Sequence, residues 1–423
     1  MIRFYNARIA NLETMTAPTG ELWVDGDVIS FVGETDGQPL AAPMFAREID
    51  CKGNLLLPGF KNAHAHTPMC FLRSFADDKP LQRWLSEDIW PHEARLTPED
   101  VYCFTRLGIL EYLSSGITTA FDMYFHLDAF CAAAIDSGFR MVLCGAVNDF
   151  GGTAQSLRDD YMKYNTLHPL ISHRLGFHGE YTTSTTLLRE LAALADELRA
   201  PVFTHNSETR AEVEECRTRY GVSPTQFLDS LGMFRHGGGG FHCVHCDDAD
   251  IAIFRERNLF AVTNGGSNVK LASGIAPLEG FRRAGVPLAI GTDGPASNNC
   301  LDFFREMFLM TGLQKLREND ACAMPAAEVL RAACTTGALC MGLPNCDALS
   351  PGKQADIVMI DLHRPNMQPI HKPLENLVYS GGKDNVALTM VEGKVLYENG
   401  QFPGVDAEGL YAETNERAER LVR

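Results

Sequence analysis

The sequence lacks the features that mark membrane proteins and nucleic-acid-binding proteins. Within its 423 residues, no uninterrupted apolar run approaches the length of a membrane-spanning helix. Basic residues are the minority, 37 against 54 acidic ones, and the formal net charge is -17. Because nucleic acids and anionic membranes attract basic surfaces, we expect neither as a partner. The chain does not start with a charged stretch followed by an apolar core, so we expect no signal peptide.

Cysteine, by contrast, is plentiful. The chain contains 13 cysteines, and they are scattered rather than regularly spaced. This odd number favours reduced, buried thiols over a disulfide framework, and hence a cytoplasmic protein. Cys243 and Cys246 have the Cys-x-x-Cys spacing of redox and zinc sites. They lack a second pair or a helix start beside them, so burial in a strand is the favoured interpretation.

The order of the predicted elements indicates an α/β chain with two parts. Residues 1–54 read as short strands and turns that cannot bury both of their faces alone. From residue 55 to residue 345, apolar runs alternate with helical stretches in eight strand–helix units, which is typical of a (β/α)8 TIM barrel. Strands return in residues 346–423, which end in a charged tail. We therefore predict a barrel beside a small β-sandwich domain that the N-terminal and C-terminal segments form together.

Two histidines end the apolar run that opens the barrel region. His64 and His66 are separated only by Ala65. In an extended strand, side chains two residues apart point to the same face, so both imidazoles can reach one metal ion. The spacing alone is weak, because two surface histidines can also lie two residues apart by chance.

Further candidate ligands follow other predicted strands of the barrel. His205 ends the fifth strand, His245 the sixth, and Asp293 follows the eighth. The carboxyl ends of barrel strands meet at one mouth, so we expect these side chains to converge on His64 and His66. Imidazole and carboxylate ligands suit one divalent ion, for which we favour Zn²⁺ over Fe²⁺ or Mn²⁺. Such an ion makes hydroxide available near neutral pH by lowering the pKa of its water.

A carboxyl group lies next to this predicted site. Glu208 follows His205 by three residues and could transfer a proton to a leaving group. The alternative interpretation is an acidic residue that stabilises the start of a helix through the helix dipole. The position alone leaves these two interpretations even.

The combination of motifs resembles the amidohydrolase superfamily, in the branch that contains cytosine, guanine and adenosine deaminases and the triazine hydrolases. The resemblance covers nearly the whole chain. It rests on residues 58–66, 205–209, 242–245, 291–294, 296–299 and 349–361. This resemblance implies a metal-dependent hydrolase with a barrel and a β-sandwich.

The resemblance also implies a role for each motif residue. His64, His66, His205 and Asp293 would be the metal ligands, and Asp293 would take the proton of the attacking water. Glu208 would protonate a ring nitrogen of the substrate. One histidine of the sixth strand would hydrogen-bond the reacting water or intermediate. We choose His245 over His242 because it is nearer the predicted end of the strand, which leaves His242 as a packed core residue.

Two further stretches are similar to deaminases of S-adenosylhomocysteine, 5′-methylthioadenosine and adenosine. They are residues 267–277 and residues 81–91. In the second stretch, Trp84 could stack on a purine face, although a core position is the simpler alternative. His178 resembles a histidine that contacts the substrate after the fourth strand. Gln82 stands where an acidic residue can meet ribose hydroxyls, and no arginine near Gly151 is placed to bind an amino-acid carboxylate, although Arg158 is close.

The sequence therefore predicts a cytoplasmic aminohydrolase that acts on a small molecule. The favoured reaction is hydrolytic deamination of adenosine, 5′-methylthioadenosine or S-adenosylhomocysteine by metal-bound hydroxide. The alternatives are deamination of guanine, 8-oxoguanine, a pterin or cytosine, and hydrolysis of a triazine. A non-catalytic purine-binding barrel is the alternative from another class. A homodimer is implied by the resemblance only.

Overall fold

The computed structural model describes residues 1–34 and 44–423 of the chain. The N-terminal segment forms five strands. They are β1 (Ile2–Ile9), β2 (Thr19–Asp25), β3 (Val28–Gly33), β4 (Arg47–Asp50) and β5 (Leu55–Pro58). The predicted turn at Asp25–Asp27 joins β2 to β3, which pair in antiparallel fashion. Part of the stretch first interpreted as strands and turns, residues 35–43, lies outside the described residues.

The next eight strands are parallel neighbours in one sheet. They are β6 (Phe60–Ala65), β7 (Ile117–Met123), β8 (Arg140–Cys144), β9 (Ile171–Gly179), β10 (Val202–Asn206), β11 (Gly238–His242), β12 (Leu259–Thr263) and β13 (Leu288–Ile290). A parallel bridge between Ala65 and Asp293 connects the first strand to the chain after the eighth. This contact closes the barrel, and the predicted fold class is confirmed.

The chain then returns to the first sheet. Strands β14 (Ile357–Ile360), β15 (Val386–Val391) and β16 (Lys394–Glu398) extend it in the order β16-β15-β14-β5-β1-β2-β3, with β4 paired to β1. The segment Leu55–Pro58 therefore differs from its predicted place, because it pairs with β14 and not within the barrel. The barrel proper starts at Phe60, one glycine later.

Helices connect the strands and end the chain. They are α1 (Leu81–Trp84), α2 (Trp90–Glu93), α3 (Pro98–Ser114), α4 (Leu127–Asp136), α5 (Ala154–Tyr164), α6 (Thr185–Leu198), α7 (Arg210–Tyr220), α8 (Pro224–Ser230), α9 (Asp248–Glu256), α10 (Gly265–Lys270), α11 (Leu278–Arg283), α12 (Phe303–Glu318), α13 (Ala326–Ala333), α14 (Thr335–Cys340), α15 (Pro373–Ser380) and α16 (Ala407–Val422). Thr97 begins α3 as its N-cap, since its hydroxyl accepts from the backbone N–H of Asp100.

Much of the apolar core lies inside the barrel and between the barrel and its helices. Aromatic and aliphatic side chains fill the barrel, with Phe121, Phe203 and Phe241 packed against one another. Helix α16 packs on α3, where Arg417 and Arg420 pair with the buried Asp100. The predicted charged tail is therefore a helix docked on the barrel. None of the helices in the described ranges combines the length and the apolar character that a membrane span requires.

Candidate metal centre and active-site cavity

Three predicted ligands stand at the carboxyl ends of barrel strands, and the fourth joins them through barrel closure. His64 lies on β6 and His66 directly follows it, His205 lies on β10, and Asp293 follows β13. The backbone N–H of Asp293 donates to the carbonyl of His64 at 3.0 Å. Closure of the barrel therefore places the carboxylate next to the two histidines.

The four side chains form one compact group. Each offers one ligand atom, and these atoms all lie within 4.8 Å of one another. Asp293 Oδ1 is 3.4 Å from Nε2 of His64 and 3.4 Å from Nε2 of His66. The Nε2 atoms of His66 and His205 are 3.3 Å apart. A tetrahedron with ligand bonds of about 2.05 Å has edges of about 3.3 Å, so these separations suit a zinc ion.

In two of the histidine rings, a hydrogen bond at Nδ1 determines that Nε2 directs its lone pair into the group. His66 Nδ1 lies 2.6 Å from the carbonyl of Met123, and His205 Nδ1 lies 2.5 Å from the carbonyl of His178. A carbonyl can only accept, so each Nδ1 carries the hydrogen and each Nε2 is bare. Two bare nitrogens facing each other repel, and a cation between them removes the repulsion.

Protonation states fit the same conclusion. Burial lowers the pKa of His64 to about 3 and the pKa of His205 well below its usual value. Burial alone would raise the pKa of Asp293, but the neighbouring histidines outweigh it and hold the pKa well below normal. Neutral imidazoles and a carboxylate are the forms that bind metal. Neither ring nitrogen of His64 has a hydrogen-bond partner among the described residues, and a ligated ion would give one of them a partner.

Asp293 is held by two serines that sequence reasoning missed. Ser267 and Ser297 each donate a hydroxyl hydrogen bond of 2.6 Å to Oδ2, which leaves Oδ1 directed at the histidines. Both serines lie inside stretches already quoted as motifs, but nothing in the motifs indicates that they meet one carboxylate.

Glu208 is buried beside this group. The Ser273 hydroxyl donates to its Oε1 at 3.2 Å, and burial raises its pKa. Its backbone is held by Glu212, whose carboxylate accepts from the N–H groups of Ser207 and Glu208 at 2.8 Å each. Helix α7 begins only at Arg210, so Glu208 precedes the helix and faces the cavity.

Of the two histidines predicted on the sixth strand, His242 lies beside Glu208 and His245 does not. His242 ends β11 with a left-handed φ of 69°, and its Nε2 lies 3.9 Å from Glu208 Oε2. Its Nδ1 lies 2.8 Å from Asn268 Oδ1. Burial opposes a charge on His242, but the carboxylates of Glu208 and Asp293 outweigh burial and raise its pKa.

His245 lies outside the cavity lining, with Nε2 2.8 Å from the carbonyl of Ser273. The strand stops three residues earlier than predicted, because His242 and Cys243 both turn left-handed. The structure therefore places His242, and not His245, at the cavity, and the catalytic role of either histidine stays a prediction.

The metal group opens into a cavity of about 1060 Å³. Trp84 and His178, for which substrate contacts stay a prediction, both line it. The His178 ring lies 4.8 Å from the His205 ring, and burial lowers its pKa to about 4. Gln82 does not line the cavity, whereas Glu93 does. The Tyr124 hydroxyl donates to Glu93 at 2.8 Å, and desolvation raises the pKa of Glu93 to about 7.

Comparisons with known proteins agree with this geometry. The sequence pattern of the Amidohydrolase family matches residues 55–396. A 5-methylthioadenosine/S-adenosylhomocysteine deaminase from Pelotomaculum thermopropionicum is 38% identical over 98% of this chain and 98% of its own. The crystal structure of an adenosine deaminase from Xanthomonas campestris with bound zinc superposes with a TM-score of 0.93 and 34% identity, covering 99% of this chain and 98% of that one.

A more distant structure shares the fold alone. Atrazine chlorohydrolase from Arthrobacter aurescens, complexed with zinc, superposes with a TM-score of 0.88 at 23% identity, covering all of both chains. The family pattern spans more than half of the chain, and the first relative matches nearly end to end. The chain therefore belongs to the amidohydrolase family, as a metal-dependent hydrolase that acts on C–N bonds.

Proposed function

We propose that this protein deaminates an adenine-type nucleoside by hydrolysis and releases ammonia. The observation that carries the proposal is the pairing of two features in one cavity. A histidine–carboxylate group suited to a metal ion lies beside a buried glutamate whose pKa is raised. The 38% identical relative is a curated deaminase of such nucleosides, and its alignment with this chain is nearly complete.

His64, His66, His205 and Asp293 would hold the ion, which we propose to be zinc. When bound, such an ion acts as a Lewis acid and lowers the pKa of a water molecule. Asp293 would accept the proton of the attacking water on its carboxylate. Its orientation for this role is maintained by the two serine hydrogen bonds to Oδ2.

Glu208 would act as the proton carrier. Burial favours its protonated carboxyl form, which can donate to a ring nitrogen of adenine as water adds to the amino-bearing carbon. His242, 3.9 Å from that carboxylate, is placed to hydrogen-bond the oxygen of the same water. The proton taken from water then passes to the departing amine, and the proton left on the added hydroxyl returns to Glu208 as the C=O bond forms, so the products are the oxo-purine nucleoside and ammonia.

The cavity walls would hold the rest of the nucleoside. The buried indole of Trp84 offers an aromatic face to the base. His178 is kept neutral by burial and can hydrogen-bond a ring nitrogen. Glu93 lies in the wall with one carboxylate oxygen bonded to Tyr124, and its other oxygen can accept from sugar hydroxyls.

An ammonia-release screen tests this proposal. The zinc-loaded protein is assayed with adenosine, 5′-methylthioadenosine, S-adenosylhomocysteine, guanine, 8-oxoguanine, cytosine and pterins. We expect turnover of adenine nucleosides and none of cytosine. Activity on a free base alone would overturn the nucleoside proposal. Silence on the whole panel would favour a triazine hydrolase or a binding protein.

The proposal also includes the location of the protein, its partners and its oligomeric state. The 13 cysteines are all free thiols, which supports a cytoplasmic location. The acidic net charge supports a small-molecule substrate and no nucleic-acid or membrane partner. A homodimer stays a prediction from the family resemblance, and gel filtration with light scattering would test it.

A further inference from the structure

The cavity volume lies at the upper end of the range usual for small-molecule sites. Ligand cavities for small molecules span roughly 300–1,000 Å³, and this one has about 1060 Å³. From the metal group it extends past Met123 and Tyr124, at the end of the second barrel strand, to α4 and α5. We call this part the outer lobe. Its lining includes Trp90, Asp128, Val147, Phe150, Leu157 and Asp160.

The outer lobe contains no cation. Among the lining residues, all of which belong to the described chain, neither lysine nor arginine occurs. The two basic residues of α5 do not line the cavity, and each is paired with a carboxylate, which for Lys163 is the lining residue Asp128. Arg158 donates to Glu197 at 2.6 Å, and Lys163 pairs with Asp128. Lys163 and the Tyr164 hydroxyl thus compensate Asp128.

Asp160 is the carboxylate of the lobe without a hydrogen-bonded cation, although Lys163 attracts it at longer range. No described residue donates a hydrogen bond to its carboxylate, and it is half-buried in the lining. Its neighbour Asp159 is exposed, accepts from Gln155 at 2.8 Å, and does not line the cavity. The lobe therefore has a negative electrostatic character on one side.

The remaining wall is apolar and aromatic. The rings of Trp90 and Phe150 lie 6.0 Å apart at the mouth, where Phe150 is 82% exposed and Trp90 39% exposed. Val147 and Leu157 are buried deeper in the lining. Exposed aromatic rings around a cavity indicate a binding site for an apolar group.

We propose that the outer lobe receives the 5′ substituent of the nucleoside, and that it selects neutral substituents such as an alkylthio group over those that end in a carboxylate. This inference rests on the proposed function and narrows its substrate class. S-adenosylhomocysteine, whose tail ends in an amino-acid carboxylate, then belongs to the poor substrates, and 5′-methylthioadenosine to the good ones.

The physical reason is desolvation. A carboxylate that enters the lobe gives up water and meets no lysine or arginine in exchange, while Asp160 repels it. A carboxamide of the same size carries no charge and keeps the same shape. The difference in kcat/KM between the carboxylate and the carboxamide therefore measures the effect of charge at constant volume.

A matched pair of substrates tests the inference. They are 5′-deoxy-5′-(2-carboxyethylthio)adenosine and its carboxamide, assayed beside adenosine and 5′-methylthioadenosine. We expect kcat/KM to be about 100-fold higher for the carboxamide than for the carboxylate. Equal values, with adenosine turned over normally, would overturn this inference and leave the proposed function intact. Silence on all four compounds would overturn the proposed function, and the inference with it.

A pair of variants locates the effect. Asp160→Arg adds a cation to the lobe, and we expect the carboxamide-to-carboxylate ratio of kcat/KM to fall at least about tenfold. Asp159→Arg makes the same charge change on the same helix but outside the cavity, so its ratio should match the wild type. If Asp160→Arg does not fold, Asp160→Asn serves in its place, with a smaller decrease in the ratio. An unchanged ratio in a folded Asp160 variant, or an equal decrease in Asp159→Arg, would overturn the placement of the tail.

Discussion

The two ends of the barrel both bury ionisable side chains, but two of those at the amino end have hydrogen-bond partners that His64 at the carboxyl end lacks. At the amino end, Lys61 donates to the Gly59 carbonyl and to Thr118 at 2.8 Å each. Arg140 forms a buried pair with Asp356 at 3.0 Å, which connects the barrel to the terminal-segment sheet. At the carboxyl end, His64 has no hydrogen-bond partner among the described residues, and His66 faces His205 with a bare nitrogen.

This difference separates structural charge from functional charge. A buried ion pair with complete hydrogen bonding is stable by itself and holds two elements in one arrangement. A buried group without a partner costs free energy unless a ligand completes it. The amino end thus secures the junction between sheet and barrel, whereas the carboxyl end is prepared for a metal and a substrate.

The largest expected effect is at the carboxyl end. Glu208→Gln should lower kcat about 1,000-fold, because the amide cannot supply the proton, while the zinc content stays at the wild-type level. Steady-state kinetics and elemental analysis of the same preparation measure both. Glu214→Gln, on the exposed side of α7, is the control and should be near wild type. A parallel loss of zinc in Glu208→Gln would instead make Glu208 a ligand.

The next effect distinguishes the two histidines after β11. His242→Asn should lower kcat about 100-fold, since it removes the ring beside Glu208 and Asp293. His245→Asn should leave kcat within about threefold of wild type, because the one hydrogen bond of its ring among the described residues is to the carbonyl of Ser273, away from the cavity lining. A larger loss of kcat in His245→Asn than in His242→Asn would assign the catalytic role to His245 instead.

At the amino end, a single substitution should damage stability and leave chemistry alone. Arg140→Met removes the partner of the buried Asp356, and we expect a loss of about 3 kcal/mol in the free energy of unfolding. Urea denaturation measures it, and kcat per folded molecule should not change. The double variant Arg140→Met/Asp356→Leu should recover part of the loss. A double variant less stable than the single one would contradict the desolvation argument.

The smallest expected effect is the pH dependence of the stability that the Arg140–Asp356 pair contributes. Although burial opposes its charge, Arg140 and Lys61 keep the pKa of Asp356 below its ordinary 3.8. The charged form is thus favoured by folding, so its contribution is complete above about pH 5 and is lost as the pH falls through the folded pKa. The stability gap between wild type and Asp356→Asn should be constant from about pH 7 to pH 5 and narrow below about pH 4. A gap that widens in acid would show that Asp356 is protonated at neutral pH.

The failures of sequence reasoning are specific. Leu55–Pro58 was assigned to the barrel because it is apolar throughout, yet it belongs to the other sheet. A strand buried on both faces carries no periodic signal that indicates its sheet. His245 was preferred because a regular strand was assumed to continue, whereas the backbone turns left-handed at His242.

The domain limits at residues 55 and 346 remain predictions, since contacts cross both. Strand β5 lies on the sheet side of the first limit. Helix α16 lies against the barrel beyond the second. A limit drawn along the chain cannot describe a segment that packs on another part of the fold.

The sequence by itself determined the barrel, its accompanying sheet and the family, because apolar periodicity and strand-end motifs are local properties of the chain. It also indicated His64, His66, His205 and Asp293, because each follows a recognisable strand. The tertiary structure alone decided that the two Nε2 lone pairs face each other, that His242 meets Glu208, and that Asp160 faces an outer lobe without a cation. These features depend on distances between strands far apart in the chain, which only closure of the barrel establishes.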